Sequence, residues 1–347
     1  MRLRVTRYEL RFHTPMETAR GVFEKRVGHI VSLDRRGFGE VAPWPGFGSA
    51  REVVEAELDR LPEISLPEIS LSDSILDHAA IDEVVRDVWQ LWQVRTPEVL
   101  GAITSALLDD LGRRRVVPLW RLLASSSSSF VRAGVLARDA EDARRALAAG
   151  FSTFKLKVGA TELERDLERV ARVREVVGAA NIRVDANRAW DLATAHTALG
   201  ALERFGIEFV EEPLRSPSPE AFRTLRAHGV PLAVDESLTE SADEWLDAHV
   251  CDVAVMKPSF LGGPLSTFEL ATKAQQRGLG VTVGTAFESA IGRAAAVHVA
   301  AALRLTSACG VSSPLAEDLA SLGEIRAGSL AVPSGPGLGV ELDRRPW

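Results

Sequence analysis

Residues 154–158 read Phe-Lys-Leu-Lys-Val, a short run in which apolar and charged side chains alternate. Successive side chains of a strand point to opposite faces, so Lys155 and Lys157 share one face. If that face is buried, the two ammonium groups need partners of opposite charge, because burying an unpaired charge is costly. An edge strand with solvated lysines is the alternative, and the acids that follow along the chain favour the buried interpretation.

Three later apolar runs each end in a carboxylate, and the intervals between them are regular. Asp185 ends the first, Glu211 or Glu212 ends the second, and Asp235 ends the third. From Asp185 to Glu211 is 26 residues and from Glu211 to Asp235 is 24, each about the length of one strand and one helix. A further run ends at Lys257. Alternation alone does not distinguish Glu211 from Glu212.

From residue 131 onward, β-like runs alternate with helical segments. Eight runs are predicted as strands, at 131–137, 152–158, 181–185, 207–211, 231–235, 251–256, 280–284 and 307–311. A doubly wound sheet is the alternative, but it does not require eight evenly spaced strands. The predicted fold class is therefore α/β, with a (β/α)8-type barrel. In such a barrel the carboxyl ends of the strands build the active site.

The segment before the barrel has a different pattern of apolar residues, which alternate as in strands at first and later recur at helical spacing. The helical segments are 49–61, 81–91 and 97–111. Strands followed by helices predict an α+β unit, and a run of five serines at 125–129 marks its boundary. The predicted organisation is an α+β capping domain over 1–125, the barrel over 130–315, and a C-terminal segment over 316–347 that packs back on the cap.

The composition excludes several classes of function. The chain has 347 residues, 46% hydrophobic and 26% charged, with a formal net charge of −7. That profile is typical of a globular protein and leaves no basic field for nucleic acid or an anionic membrane. No apolar run approaches the ~18 residues of a membrane helix. The first residues lack the apolar segment of a signal peptide, so a cytoplasmic location is expected. Cys251 and Cys309 lie in apolar stretches and are expected to be buried thiols.

The acids at the strand ends point to a metal ion. Three converging carboxylates raise one another's pKa unless a cation lies among them, and all-oxygen ligation favours a hard ion such as Mg²⁺. Lys257 would lie across the barrel from Lys155 and Lys157, with the metal between. This arrangement suits removal of a proton next to the carboxylate of a small-molecule substrate, because the metal offsets the developing charge while a neutral lysine accepts the proton.

Five ordered motifs resemble the enolase superfamily and, within it, the muconate-lactonizing branch. They are Lys155-Leu156-Lys157, Asp185-Ala186-Asn187, Glu211-Glu212-Pro213, Asp235-Glu236-Ser237 and Lys257-Pro258. Segments 39–47 and 183–190 are similar to those of o-succinylbenzoate synthases. The resemblance implies a Mg²⁺-dependent dehydration that yields 2-succinylbenzoate in menaquinone synthesis.

The resemblance also implies a role for each residue at the strand ends. The Mg²⁺ ligands would be Asp185, Glu211 and Asp235. Lys157 would remove the proton α to the substrate carboxylate and then assist loss of the hydroxyl. Lys257 would stabilise the intermediate from the opposite face, and Lys155 would tune Lys157. Substrate contacts are expected from Asn187, Arg183, Thr285 and Arg20.

Two other functions remain open from the sequence. A racemase of N-acylated amino acids, or a dipeptide epimerase, could use the same lysines to exchange a proton between opposite faces. Residues 309–313 lack the Asp-x-Asp pair typical of dipeptide epimerases. A catalytically silent binding protein is the other alternative, although it would keep three acids and three lysines without use. Trp44 and Phe47 are expected either to anchor a loop or to form part of a lid. The sequence sets no oligomeric state.

Overall fold

The structure, a computed structural model, describes residues 2–18, 21–34, 36–61 and 94–343, together with the single residues 83, 86 and 90. The helix predicted over 81–91 lies outside the described residues, apart from those three positions. Arg20 also lies outside them.

The secondary structure follows the order strands, helices, then alternating strands and helices. The strands are β1 (Leu3–Thr18), β2 (Gly21–Leu33), β3 (Gly37–Val41), β4 (Phe130–Arg132), β5 (Val135–Leu136), β6 (Thr153–Lys157), β7 (Asn181–Asp185), β8 (Phe209–Glu211), β9 (Leu232–Val234), β10 (Val253–Met256), β11 (Gly280–Val283) and β12 (Ser329–Ala331). The helices are α1 (Arg51–Arg60), α2 (Pro97–Arg115), α3 (Trp120–Leu123), α4 (Ala140–Ala148), α5 (Leu163–Val177), α6 (Leu192–Leu202), α7 (Pro219–Leu225), α8 (Glu236–Ala248), α9 (Pro264–Gln276) and α10 (Ala290–Ala302).

The N-terminal unit is an antiparallel sheet of β1, β2 and β3 that packs against α2. The sheet and the helix approach closely because glycine occupies the contact: a Cβ at Gly39 would lie 1.9 Å from the carbonyl oxygen of Ala102. Side chains from both layers, among them Val31, Val41 and Ile103, are completely buried between them. The unit is the α+β cap that the sequence predicts.

The barrel consists of seven parallel strands in the order β5 to β11. Its two edges meet through residues 309 and 310. Ala133 forms a parallel bridge with Cys309, and Gly284 forms one with Gly310. The barrel prediction is confirmed, but the eighth predicted strand is reduced to these two bridges. It pairs through single residues on each side and therefore builds no continuous ladder.

The residues that follow the barrel run back over the cap. Leu315 bridges Phe12 of β1, and the N–H of Leu338 donates to Oδ1 of Asp109 in α2 at 2.7 Å. The domain boundaries drawn from the sequence remain predictions.

Two expectations from composition can be compared with the structure. Cys251 and Cys309 are both buried and unpaired, as predicted. None of the helices in the described part of the chain is long and apolar enough to span a bilayer.

Candidate active site

A cavity of about 120 Å³ lies at the carboxyl ends of the barrel strands, beneath residues of the cap. Its walls combine charged side chains from the barrel with aromatic side chains. The charged residues are Lys155, Lys157, Arg183, Asp185, Glu211, Glu236 and Lys257. The aromatic residues are Trp44, Phe47, Phe209 and Phe287. The three lysines singled out from the sequence therefore line one space.

Strand register brings these residues to the same end of the barrel. Lys157 pairs with Asp185 across β6 and β7, and Asp185 pairs with Glu211 across β7 and β8. Because side chains alternate along a strand, Lys155 and Lys157 face the cavity while the apolar residues beside them are completely buried. The alternation in 154–158 thus places both lysines inside the barrel.

Lys155 is held by two acids. Its Nζ lies 2.8 Å from each carboxylate oxygen of Glu211 and 2.8 Å from Oδ2 of Asp185. Burial alone would lower the pKa of Lys155, but Asp185 and Glu211 raise it well above its ordinary value. Lys155 therefore stays protonated, and its charge offsets part of the repulsion among the carboxylates.

Lys257 is held in the same way from another strand. Its Nζ closely contacts Oδ2 of Asp235, and the residue is 9% exposed. Burial opposes the ammonium form, but Asp235, followed by Glu211, raises the pKa of Lys257 above its ordinary value. Lys257 is a second fixed positive charge in the cavity.

Lys157 differs from the other two lysines. Among the described residues no carboxylate lies within ion-pair distance of its amine, which instead donates to Oδ1 of Asn187 at 3.1 Å. Burial lowers the pKa of Lys157, and repulsion from Lys155 and Lys257 adds to this, although Asp185 acts in the opposite direction. Of the three lysines, Lys157 is the one whose neutral form is favoured by its surroundings.

The three predicted metal ligands are buried carboxylates with unequal pKa values. Burial, followed by repulsion from Asp185, raises the pKa of Glu211 to about 8, and burial raises the pKa of Asp235 to about 6. Burial also opposes ionisation of Asp185, but Lys155 and Lys157 outweigh it and lower the pKa to about 2. Even beside Lys155 and Lys257, Glu211 and Asp235 are therefore harder to ionise than a free carboxyl group, and a further cation would favour their ionised forms.

Glu236 is a cavity residue that the sequence argument missed. It follows Asp235 directly, and its Oε2 has no hydrogen-bond partner among the described residues. Burial, followed by repulsion from Glu212, raises the pKa of Glu236 to about 7. In the sequence it is only the second acid of a pair, and the strand pattern gives no reason to select it.

These oxygen donors suit a hard divalent cation, although ammonium groups now contact them. No three Asp, Glu, His or Cys side chains in the described ranges are placed to hold a metal ion as they stand. Instead, the Lys155 ammonium pairs with Asp185 and Glu211, and the Lys257 ammonium pairs with Asp235. The raised pKa values of Glu211 and Asp235, and the unpartnered Oε2 of Glu236, fit a site that accepts further positive charge.

The structure distinguishes the two glutamates that strand alternation could not. Glu211 lines the cavity and pairs with Lys155. Glu212 has φ +41°, and its side chain is not part of the cavity wall. Its Oε1 accepts instead from the N–H groups of Asp235 and Ser237, at 2.8 and 2.7 Å. Glu211 is therefore the one placed to act in the cavity, and Glu212 fixes the end of the next strand.

Two of the predicted substrate contacts lie on the cavity wall with polar groups in reach. Asn187 donates from Nδ2 to Asp185 at 2.6 Å and accepts from Lys157, so it links an acid to a lysine. Thr285 donates its hydroxyl to the carbonyl oxygen of Gly310 at 2.9 Å. Both side chains keep hydrogen-bonding capacity toward the cavity, and their contact with substrate stays a prediction.

Arg183 also lines the cavity, but its guanidinium is largely engaged. It forms two hydrogen bonds with the carboxylate of Glu208, at 2.8 and 3.1 Å, and a third with the carbonyl oxygen of Ala308 at 2.7 Å. These partners leave it little free capacity for a substrate anion. The fourth predicted contact, Arg20, lies outside the described residues.

Aromatic rings face two of the lysines. The ring centroid of Phe47 lies 4.0 Å from Nζ of Lys257, and that of Phe287 lies 5.6 Å from Nζ of Lys157. Trp44 packs edge-on against Phe287 with 5.4 Å between centroids. The sequence left Trp44 and Phe47 open between loop anchor and lid. The structure packs both against neighbouring apolar side chains, as a loop anchor requires, and a part in a lid stays a prediction. Phe287 carried no sequence signal.

Arg26 connects the cap to the loop that carries Phe287. It is 1% exposed, and its guanidinium donates to the carbonyl oxygens of Ala286 at 3.0 Å and Pro43 at 2.7 Å. It also lies 5.0 Å from the ring centroid of Trp44. One buried cation thus holds both aromatic loops, a contact between residues 26 and 286 that sequence spacing could not predict.

Comparison with known proteins gives matches over most of the chain. Residues 138–346 match the family described as Enolase C-terminal domain-like. A chloromuconate cycloisomerase of Pseudomonas putida is 38% identical over 198 residues, which are 55% of this chain and 54% of that protein. An o-succinylbenzoate synthase of Thermobifida fusca is 39% identical over 191 residues, 53% of this chain and 59% of that protein. The matched part thus spans little more than half the length of these two relatives.

Similarity to solved structures extends over nearly the whole chain. The muconate lactonizing enzyme of Pseudomonas fluorescens, solved with muconolactone, superposes with a TM-score of 0.85 at 26% sequence identity, covering 98% of this chain and 96% of that one. The cap and the barrel therefore occur together in a solved relative.

Proposed function

The chain belongs to the Enolase C-terminal domain-like family of the enolase superfamily, in its muconate-lactonizing branch, and on that premise we propose that it is an o-succinylbenzoate synthase. The reaction is the Mg²⁺-dependent dehydration of 2-succinyl-6-hydroxy-2,4-cyclohexadiene-1-carboxylate to 2-succinylbenzoate, a lyase step of menaquinone synthesis. A cytoplasmic location belongs to the same proposal.

The observation that carries the proposal is the unequal state of the three lysines. Lys155 and Lys257 are held as ammonium groups by carboxylates, whereas the pKa of Lys157 is lowered by burial and like charge. A cavity with one lysine favoured as a neutral base and two fixed positive charges suits proton removal next to a carboxylate. The aromatic side chains of Trp44 and Phe287 in the cavity wall suit the unsaturated ring of this substrate.

The proposed mechanism uses Lys157 twice. Its neutral amine takes the proton from the carbon that bears the substrate carboxylate, and the C–H electrons move toward that carboxylate. The ammonium of Lys157 then protonates the departing hydroxyl as the C–O bond breaks, so the ring gains a double bond and water leaves. Lys257 offsets negative charge from the other side of the cavity, and Lys155 stays protonated beside the acids.

The metal in this proposal would be held by Asp185, Glu211 and Asp235. When bound, Mg²⁺ supplies positive charge that offsets the charge developing on the substrate carboxylate. The raised pKa values of Glu211 and Asp235 support this assignment, because a nearby divalent charge returns such carboxyl groups to their ionised form.

A second function is favoured by the presence of Lys157 and Lys257 in one cavity. Two lysines on different sides of a substrate could exchange one proton, as racemisation of an N-acylated amino acid requires. On the described cavity wall the carboxylates are Asp185, Glu211 and Glu236, and residues 309–313 contribute none. A free substrate ammonium would therefore find no carboxylate at residues 309–313, which disfavours a dipeptide epimerase more than an N-acylamino acid racemase.

The test is a spectrophotometric assay of the purified protein on the cyclohexadiene carboxylate, with Mg²⁺ and after chelation. We expect the diene absorbance to disappear only with Mg²⁺. Parallel assays follow N-succinyl amino acids for incorporation of solvent deuterium, and muconate and chloromuconate for cycloisomerisation. No turnover of the diene, with activity in either parallel assay, would replace the proposed function by the corresponding alternative.

A further inference from the structure

The ammonium group of Lys257 has a charged neighbour and an aromatic neighbour. Asp235 contacts it, and the ring centroid of Phe47 lies 4.0 Å from Nζ. The Lys257 side chain is 11% exposed, so water contributes little to holding the charge. An ammonium that has lost most of its water and lies against a ring face is the setting in which the cation–π attraction is strongest.

Phe47 is fixed by the turn that precedes it. The carbonyl oxygen of Trp44 accepts from the N–H of Phe47 at 3.0 Å, and Gly46 between them has φ +70°. Proline at the second position and glycine at the third are the residues that a type II turn favours, and Pro45 and Gly46 occupy those positions. The turn therefore delivers the ring at one defined place above the barrel.

The ring of Phe47 is also packed from behind. Phe260, which follows Lys257 by three residues, lies 4.6 Å from Phe47 between ring centroids. On the far side of the turn, Ser49 donates its N–H and its hydroxyl to Glu98 of α2, at 2.6 and 2.9 Å. The cap loop is thus tied both to the barrel and to its own helix, so that Phe47 has little freedom to leave the lysine.

Lys157 offers an internal contrast. Its ring partner, Phe287, lies 5.6 Å from Nζ, near the outer limit of about 6 Å for this interaction. Lys157 has Asn187 as a hydrogen-bond acceptor, whereas the partners of Lys257 are one carboxylate and one ring. The aromatic contact therefore matters more for Lys257.

We propose that Phe47 is a positioning residue for the reaction, and that its aromatic face holds the Lys257 ammonium toward the substrate space rather than deeper among the acids. The kinetic consequence rests on the proposed function, but the contact itself does not. Loss of the attraction should lower kcat and leave KM within twofold, because the ring acts through Lys257 and not through substrate affinity.

The experiment keeps the shape of the ring and changes only its charge distribution. Phenylalanine analogues carrying one, two and three fluorine atoms replace Phe47, since fluorine progressively removes the negative face of the ring. We expect kcat to fall stepwise, by about tenfold over the series. The same series at Phe222, a buried residue packed on Trp245 outside the cavity, should leave kcat unchanged.

A readout that does not depend on turnover separates this inference from the proposed function. In protein labelled with ¹⁵N-lysine, the side-chain resonances of Lys257 are assigned by their loss in Lys257→Arg. We expect these resonances to show an upfield ring-current shift. The shift should disappear in Phe47→Leu and return in Phe47→Tyr. A shift without diene turnover contradicts the proposed reaction alone, and the fluorinated series is then run on whichever substrate is turned over. No shift, or a flat kcat across the series, overturns the role of Phe47.

Discussion

Glu211 and Glu212 are neighbours in the chain and equally buried, yet they belong to regions with opposite chemistry. Glu211 faces the cavity, where its partner is the ammonium group of Lys155. Glu212 faces the packed interior, where it accepts from the backbone N–H groups of Asp235 and Ser237 and from Nε of Arg188, whose guanidinium stays protonated. A lysine side chain can move or lose its proton, whereas a backbone N–H can do neither, so only the first kind of partner leaves the acid available for chemistry.

The same difference separates the cavity from the cap. In the cap, Glu57 accepts from the N–H and the hydroxyl of Thr96 at 3.1 and 2.6 Å. Asp109 accepts from the N–H groups of Phe38 and Leu338 at 2.9 and 2.7 Å. These buried acids join segments of chain, and Asp109 also pairs with Nε of Arg113 at 3.0 Å. Burial of a carboxylate is therefore a weak sign of function, and the nature of its donors is a stronger one.

The largest expected effect tests whether the cavity region carries the chemistry. Lys157→Met keeps the apolar stem and removes the amine, so the base is lost. We expect kcat on the cyclohexadiene carboxylate to fall by about 10³-fold, within the usual range for removal of a general base. Steady-state kinetics with Mg²⁺ measures this, and the free energy of unfolding should change little because the lost amine carries no ion pair.

The matched control is Lys273→Met, the same change at an exposed position of α9. It should leave kcat and stability unaltered. If Lys157→Met retained full activity while Lys257→Met lost it, the assignment of the base to Lys157 would be wrong.

The sequence predicts the cavity acids and lysines well because their placement follows from strand period and spacing. Residues that end successive strands meet at one end of a barrel, so Lys155, Asp185 and Glu211 could be named without a structure. Their partners could not be named. Which lysine an acid holds depends on side-chain directions within a few ångströms, and the period-two pattern does not contain that information.

Contacts between the cap and the barrel also could not be predicted from the sequence. Phe47 meets Lys257, and Arg26 meets Ala286, across more than 200 residues of chain. No local periodicity records such pairs. The eighth strand is shorter than predicted for a related reason. The run at 307–311 has strand-like composition, but how many of its residues pair is decided by neighbours distant in sequence.

The next effect concerns His298, a buried side chain of α10 that lies outside the cavity wall. His298 is completely buried, with Nδ1 facing the N–H of Trp120 at 3.4 Å and Nε2 facing the carbonyl oxygen of Leu338 at 3.1 Å. Burial lowers its pKa to about 4, against 6.5 as the ordinary value. Between those two pH values the unfolded chain binds more protons than the folded one, so stability is lost as the pH falls.

We expect this residue to remove about 3 kcal/mol of the free energy of unfolding between pH 7 and pH 4, from 1.36 kcal/mol per pKa unit. His298→Gln offers a donor and an acceptor without titrating, so its stability should fall correspondingly less over that range. Urea denaturation at a series of pH values measures the difference. Equal slopes for the two proteins would show that His298 is not the titrating group.

A smaller effect compares the two adjacent glutamates directly. In Glu212→Gln one oxygen becomes an NH₂ group that must face existing donors, so we expect a loss of about 2 kcal/mol of stability. In Glu211→Gln a neutral amide replaces a carboxyl group that already resists ionisation without metal, so the free energy of unfolding should hold steady while kcat falls. Urea denaturation without Mg²⁺, together with kinetics in its presence, separates the two outcomes. Equal destabilisation by both changes would abolish the distinction between the two regions.

The smallest effect compares two glycines with positive φ angles. Gly46 has φ +70° in the turn that carries Phe47, and Gly178 has φ +59° at the end of α5, with nothing within 4 Å of an added Cβ. Alanine at either position should lower the free energy of unfolding by about 1 kcal/mol, because an L-residue is strained there. Only Gly46→Ala should also lower kcat, since relaxing its turn moves the ring away from Lys257. If Gly178→Ala reduced kcat equally, the loss would reflect general destabilisation, and the cap loop would have no special part in placing the lysine.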